Sequence, residues 1–159
     1  MLNIQILCIG KIKEKYLKDA IDEYSKRLSK YCKLQILELP DEKIPDKLND
    51  NIITEIKKKE CSKMINLMKK DTYKIALDLN GKELSSVDFS KTIEKISMTN
   101  SNITFIIGGS LGLNNELLNN CQEKICFSKM TFPHQLIRLF LLEQIFRSFK
   151  ISNGETYHR

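Results

Sequence analysis

Apolar and polar positions alternate from Leu2 to Ile9, Gly10 interrupts the run, and beyond it Tyr16, Leu17, Ala20, Ile21, Tyr24 and Leu28 recur at helical spacing. That change of period predicts a strand followed by an amphipathic helix. Residues 34–39 predict a second strand, stopped by Pro40. Residues 41–50 hold Pro45 and mixed charges and read as a loop of about ten residues, a length often kept for function. A helix over roughly residues 51–70 follows, with Ile52, Ile56, Met64, Ile65 and Leu67 as its apolar positions. Residues 75–79 predict a third strand, closed by the turn signal Asn80-Gly81-Lys82. Ser85 or Ser86 offers an N-cap, with Asp88 in the first turn, for a helix through Phe89, Ile93 and Ile96. Residues 103–107 are continuously apolar, as in a strand buried on both faces. A short helix from about Asn114, a short strand near Ile125 and a last helix from Pro133 to about Ile151 complete the series. Five alternations of strand and helix predict an α/β fold, a mostly parallel sheet flanked by helices.

Composition narrows the class. The chain has 159 residues, 42% hydrophobic and 29% charged. One domain spanning residues 1–159 should bury roughly 68–70% of the surface its unfolded chain exposes, enough for a full core. No apolar run approaches the ~18–20 residues of a membrane span, and the opening strand is not a basic leader, so a soluble, cytoplasmic protein is expected. Five scattered cysteines without C-x-x-C pairs, and only two histidines, leave a disulfide framework or a metal site unsupported. Lysine and arginine exceed aspartate and glutamate by 26 to 20, a net charge of +6. The excess favours a polyanionic partner, although a merely soluble basic domain accounts for charge alone equally well. Eight of the cations crowd the first 33 residues, from Lys11 to Lys33, most of them on one solvated helix face.

Three segments carry candidate chemistry. Gly108-Gly109-Ser110-Leu111-Gly112 leads from a buried strand toward a helix, where glycine lets a ligand approach the backbone closely. It fits neither the dinucleotide G-x-G-x-x-G pattern nor a phosphate loop, and a plain tight turn remains open. Phe127-Ser128-Lys129-Met130-Thr131-Phe132-Pro133-His134 mixes aromatics with hydroxyls ahead of a helix start. There His134 should feel the positive end of the dipole, which disfavours its charged form. The last helix is apolar nearly all round through Leu136, Ile137, Leu139, Phe140, Leu141 and Leu142, so a partner subunit is expected to cover what this chain cannot. Arg138 projects among these apolar side chains and needs a carboxylate or phosphate, with Glu143, the other subunit or a substrate as candidates. Terminal residues usually fray. The tail Gly154-Glu155-Thr156-Tyr157-His158-Arg159 nonetheless sets a stacking ring, a group titrating near neutrality and a phosphate-binding fork side by side.

Together with Gly10-Lys11, Lys15-Tyr16 and Glu143-Gln144-Ile145-Phe146-Arg147, these segments resemble the RlmH family over essentially the whole chain. Those proteins are large-subunit ribosomal RNA methyltransferases of the SPOUT superfamily that act on a pseudouridine. The resemblance implies a SPOUT-type fold with a C-terminal trefoil knot, which base rates alone would never suggest. It implies S-adenosylmethionine held by Leu77, Gly108, Phe127, Ser128, Lys129, Met130, Thr131 and Phe132, a homodimer, and no metal. It implies methylation at N3 of a pseudouridine in helix 69, preferentially on assembled ribosomes, with shape and phosphate contacts replacing an RNA-binding module. Leu111 departs from the family pattern, in which a polar or acidic residue is common at this place. The catalytic candidates are His158 as proton acceptor or orienter of the uracil edge, Tyr157 for stacking or hydrogen bonding, and Arg159 and Arg138 for phosphate or developing charge. A non-catalytic ribosome-binding factor is the main alternative. A nucleotide-binding oxidoreductase built on the Gly-Gly-Ser loop is another, weakened by the missing fingerprint.

Overall fold

The computed structural model describes residues 1–159, and its ten elements alternate as the apolar periods predict. They are β1 (Leu2–Ile9), α1 (Lys15–Leu28), β2 (Cys32–Leu39), α2 (Asp50–Leu67), β3 (Tyr73–Glu83), α3 (Ser86–Ser97), β4 (Asn102–Ile107), α4 (Asn115–Asn119), β5 (Glu123–Cys126) and α5 (His134–Ser152). The strands form one sheet in the order β2-β1-β4-β3-β5, and every pairing is parallel. Side chains alternate across the sheet. Ile4, Ile6 and Cys8 of β1 enter the larger core, which α1, α3 and α5 close, while Leu7 and Ile9 enter a smaller core beneath α2 and α4. β4 takes the middle of the sheet, with Ile103 to Ile107 all buried, as a strand covered on both faces requires; Thr104 is the one polar residue among them.

Local chemistry fixes the helix starts. Asn49, Ser85 and Asn114 each accept a backbone N–H from the first turn of α2, α3 and α4, so Ser85 rather than Ser86 is the cap. No helix is long and apolar enough to cross a membrane. All five cysteines are free thiols, four of them buried, and burial pushes Cys8 and Cys32 up to about 12.

One expected boundary is corrected. Asn80-Gly81-Lys82 does not end the third strand; β3 runs on to Glu83. Its ladder with β5 breaks instead, because Leu77 and Lys82 both pair with Ile125, and the residues between them loop out from the register. Gly81 permits the return. A Cβ at this position would lie 2.7 Å from the backbone N and C of Ile125. Gly81→Ala is therefore expected to displace β5 and to cost about 1–3 kcal/mol, as overpacking does. Urea unfolding measures that loss.

Candidate active site

Ligands of parallel α/β sheets bind beyond the carboxyl ends of the strands, and here three turns meet at that edge. The looped-out residues of β3 form one wall of a cavity of about 750 Å³, the turn after β4 forms a second, and the segment between β5 and α5 forms a third. The β4 turn is tight: Gly112 N–H donates to the Gly109 carbonyl at 3.0 Å, and Gly112 holds φ +80°. The loop after β5 is braced by the Ser128 hydroxyl, which accepts the Met130 N–H at 3.0 Å. The Cys126 thiol donates to the Ser128 carbonyl at 2.9 Å.

Seven of the eight expected cofactor residues line this cavity: Leu77, Gly108, Phe127, Ser128, Met130, Thr131 and Phe132. Lys129 does not. Leu111, the departure from the family pattern, lines it too. Sequence reasoning misses Asp78, Leu79 and Asn80, which the β3 excursion turns into the wall; the Asn80-Gly81 signal marks a turn there and says nothing of a cavity.

The cavity carries little fixed charge, with Lys57 and Asp78 as its only formally charged side chains besides the titratable His134. Burial first, then the neighbouring Arg138 charge, hold His134 below its ordinary value, with Asp41 opposing them. The sign follows from linkage. The unfolded chain takes up this proton below about pH 6.5 and the folded chain resists it, so the stability contribution is complete above that value. It is lost as pH falls through the folded value. His134→Gln should flatten the decline in denaturation midpoint between pH 7.5 and 5. Behind the Gly-Gly-Ser turn lies Glu60, only 4% exposed, whose Oε2 accepts the Glu42 N–H at 3.0 Å. Burial raises its pKa.

Arg138 is not where a substrate contact would put it. Its side chain is 1% exposed and pairs with Glu38 at the end of β2, Nη1 to Oε2 at 2.6 Å, while Nη2 donates to the Gly10 carbonyl at 3.0 Å. Its Nε has no partner. Glu143, the partner suggested by proximity along α5, instead takes Arg147 at 2.6 Å. Arg138 thus joins an ion pair, buried at its arginine end, that ties β1 and β2 to α5.

The other three catalytic candidates sit in the tail, and none lines the cavity of its own chain. Tyr157 is half-buried against Phe146, edge to face at 5.1 Å, and donates to Glu143 Oε1 at 3.1 Å. Burial, with Tyr24 and Glu143 beside it, pushes its phenol up to about 12. His158 Nδ1 lies 3.2 Å from Arg147 Nη1. Because a guanidinium can only donate, Nδ1 accepts and a neutral ring carries its proton on Nε2. In this arrangement neither ring nitrogen is a free base. Arg159 is exposed and makes no ion pair.

A parallel sheet whose strand ends enclose a small-molecule cavity, with the last helix starting at its rim, defines an α/β protein of the kind that holds its ligand at backbone turns. Residues 2–158 match the family described as "Predicted SPOUT methyltransferase", and the chain belongs to that family. It is 57% identical over 159 residues to "Ribosomal RNA large subunit methyltransferase H" of Clostridium botulinum (strain Eklund 17B / Type B), covering 99% of this chain and 100% of the relative. It is 55% identical, with the same coverage, to "Ribosomal RNA large subunit methyltransferase H 1" of Clostridium perfringens (strain SM101 / Type A). In fold it is similar to a probable methylase family protein from Haemophilus influenzae Rd KW20, with a TM-score of 0.53 at 12% identity, over 98% of this chain and 70% of that one.

Proposed function

We propose that this SPOUT methyltransferase uses S-adenosylmethionine to methylate N3 of a pseudouridine in helix 69 of large-subunit ribosomal RNA. In this reading it acts in the cytoplasm, on assembled ribosomes, as one domain per chain. The observation that carries the reading is the three-turn cavity at the strand ends, in a chain more than half identical along its length to relatives bearing that ribosomal name. Its chemistry suits this donor. A polyphosphate asks for a cluster of cations; here apolar Leu77, Ile107 and Phe127 line the wall with the glycines of the β4 turn, and Lys57 and Asp78 are its charged side chains, a lining suited to an adenine ring carrying a sulfonium and an amino-acid group. Leu77, Gly108, Phe127, Ser128, Met130, Thr131 and Phe132 would hold it, with Lys129 outside the wall. When bound, the group supplies a methyl already activated by a sulfonium.

The chain's own tasks are alignment and the N3 proton. His158 accepts that proton, or orients the uracil edge through Nε2–H, once Nδ1 leaves Arg147. Tyr157 offers a ring or hydroxyl to the base, and Arg159 a fork for phosphate. Arg138 acts through the structure, holding α5 against β1 and β2. Since the tail lies outside its own cavity, we assign it to the cavity of a second copy, in a homodimer. The exposure of apolar Leu79 and Met130 in the cavity wall, at 62% and 73%, and of Phe140 at 40%, packed edge to face on the lining Phe132, supports that partner. The threading of α5 behind the two turns as a trefoil knot belongs to the same reading.

The test is incubation with ribosomes that lack the modification, followed by mass measurement of the helix 69 fragment. One added methyl that requires S-adenosylmethionine is the expected result. Ribosome binding without any mass change would select the non-catalytic factor instead.

A further inference from the structure

The segment joining β1 to α1 is solvent-facing, strongly basic and held with unusual firmness. Lys11, Lys13, Lys15, Tyr16 and Lys18 are all exposed, and Tyr16, at 69%, is among the most exposed large apolar side chains of the chain. Only Lys15 has a counter-ion, Asp19 at 2.8 Å; Lys11, Lys13 and Lys18 make no ion pair. The first turn of α1 holds no acid, and lysines occupy the end where the helix dipole favours negative charge.

Beneath this surface the backbone is clamped. Ile12, 7% exposed, is buried between the lysines, and its N–H donates to Glu38 Oε2 at 2.9 Å. That same oxygen takes Arg138, which also donates to the Gly10 carbonyl, so one ion pair, buried at its arginine end, fixes both sides of a two-residue step. Gly10 itself holds φ +91°, its N–H donates to the Leu39 carbonyl at 2.7 Å, and a Cβ on it would lie 2.9 Å from His134 Nε2. His134 lines the cavity. The basic segment therefore stands one side chain away from the methyl-donor site, on the strand next to the one that carries the Gly-Gly-Ser turn.

We propose that Lys11, Lys13, Tyr16 and Lys18 form a docking platform for the RNA strand that enters the cavity. The lysines meet successive phosphates and the Tyr16 ring stacks on an unpaired base, while Glu38 and Arg138 keep the platform in register with α5. Uncompensated cations around an exposed ring match a single-stranded polyanion with splayed bases. A protein partner would want fewer bare ammonium groups at its core. The proposal rests on the ribosomal RNA reading above and names the surface that serves it.

Steady-state methylation of ribosomes by the full-length protein tests it. Tyr16→Ala should raise KM for ribosomes roughly 5- to 150-fold, the range of one lost base stack, and more than it lowers kcat. Tyr16→Phe should restore the parental value. Lys13→Ala with Lys18→Ala should reduce the slope of log affinity against log salt by about 1.4, or about 0.7 per phosphate contact to single-stranded RNA. Calorimetric S-adenosylmethionine affinity should not move in any of these variants. A parental protein that methylates ribosomes, beside variants with unchanged KM and salt slope, overturns the platform alone. A raised KM with an unchanged salt slope assigns the surface to a ribosomal protein and overturns the RNA assignment. A parental protein that transfers no methyl overturns the reading on which the platform stands.

Discussion

Glu38→Ala is expected to lower the unfolding free energy by about 3 kcal/mol and the melting temperature by roughly 6–12 °C. The substitution leaves the Arg138 guanidinium, 1% exposed and already without a partner at Nε, with the Gly10 carbonyl alone. Removing one member of a buried pair costs about 3–5 kcal/mol because the other stays desolvated; the lower end applies because Glu38 is itself 35% exposed and water can enter beside it. The Ile12 N–H also loses its acceptor. Glu38→Ala combined with Arg138→Met should recover most of the loss, since an apolar side chain in the same space carries no charge to strand. Urea unfolding of both variants separates the two contributions. A single variant within 0.5 kcal/mol of the parent, on the scale of an ordinary surface change, would show that the pair holds nothing.

His158→Ala should lower kcat for ribosome methylation by roughly 10² to 10⁴, the usual contribution of a positioned acid or base. Affinity for S-adenosylmethionine should stay at the parental value, because the residues proposed to hold it belong to the three turns of the cavity and not to the tail. Stability should change little: His158 is exposed, and its one recorded contact is with Arg147, which keeps Glu143 at 2.6 Å. Parental turnover in this variant would exclude the proton role. Arg147→Ala gives a complementary measurement, since it frees Nδ1 while removing the cation over the Tyr157 ring, 4.8 Å from its centroid.

The element order was legible because each period is local. β4 announced itself through four apolar residues among the five from Ile103 to Ile107, and α3 through Ser85 and Asp88. The turns around the cavity were legible for the same reason: glycines beside a buried strand, and a hydroxyl-rich loop before Pro133. What escaped the sequence belongs to pairs of distant segments. The β3 excursion is a property of its register with β5, and no residue between Leu77 and Lys82 states which partner the strand will meet twice. Arg138 and Glu38 are 100 positions apart, so spacing along α5 pointed to Glu143 while the fold supplied β2. The tail likewise reads as loose until Glu143, Arg147 and Phe146 of α5 are seen to receive it.

α5 carries Leu141, Leu142, Ile145 and Phe146 into the same core as Ile4 and Ile6, so the first strand made is covered by the last helix made. A nascent chain, with only α1 and α3 over this sheet face, therefore leaves part of it uncovered until α5 is made, roughly 8–30 s at about 5–20 residues per second. Messages truncated just before Leu141 would yield chains that possess every turn of the cavity and still go to proteolysis or inclusion bodies.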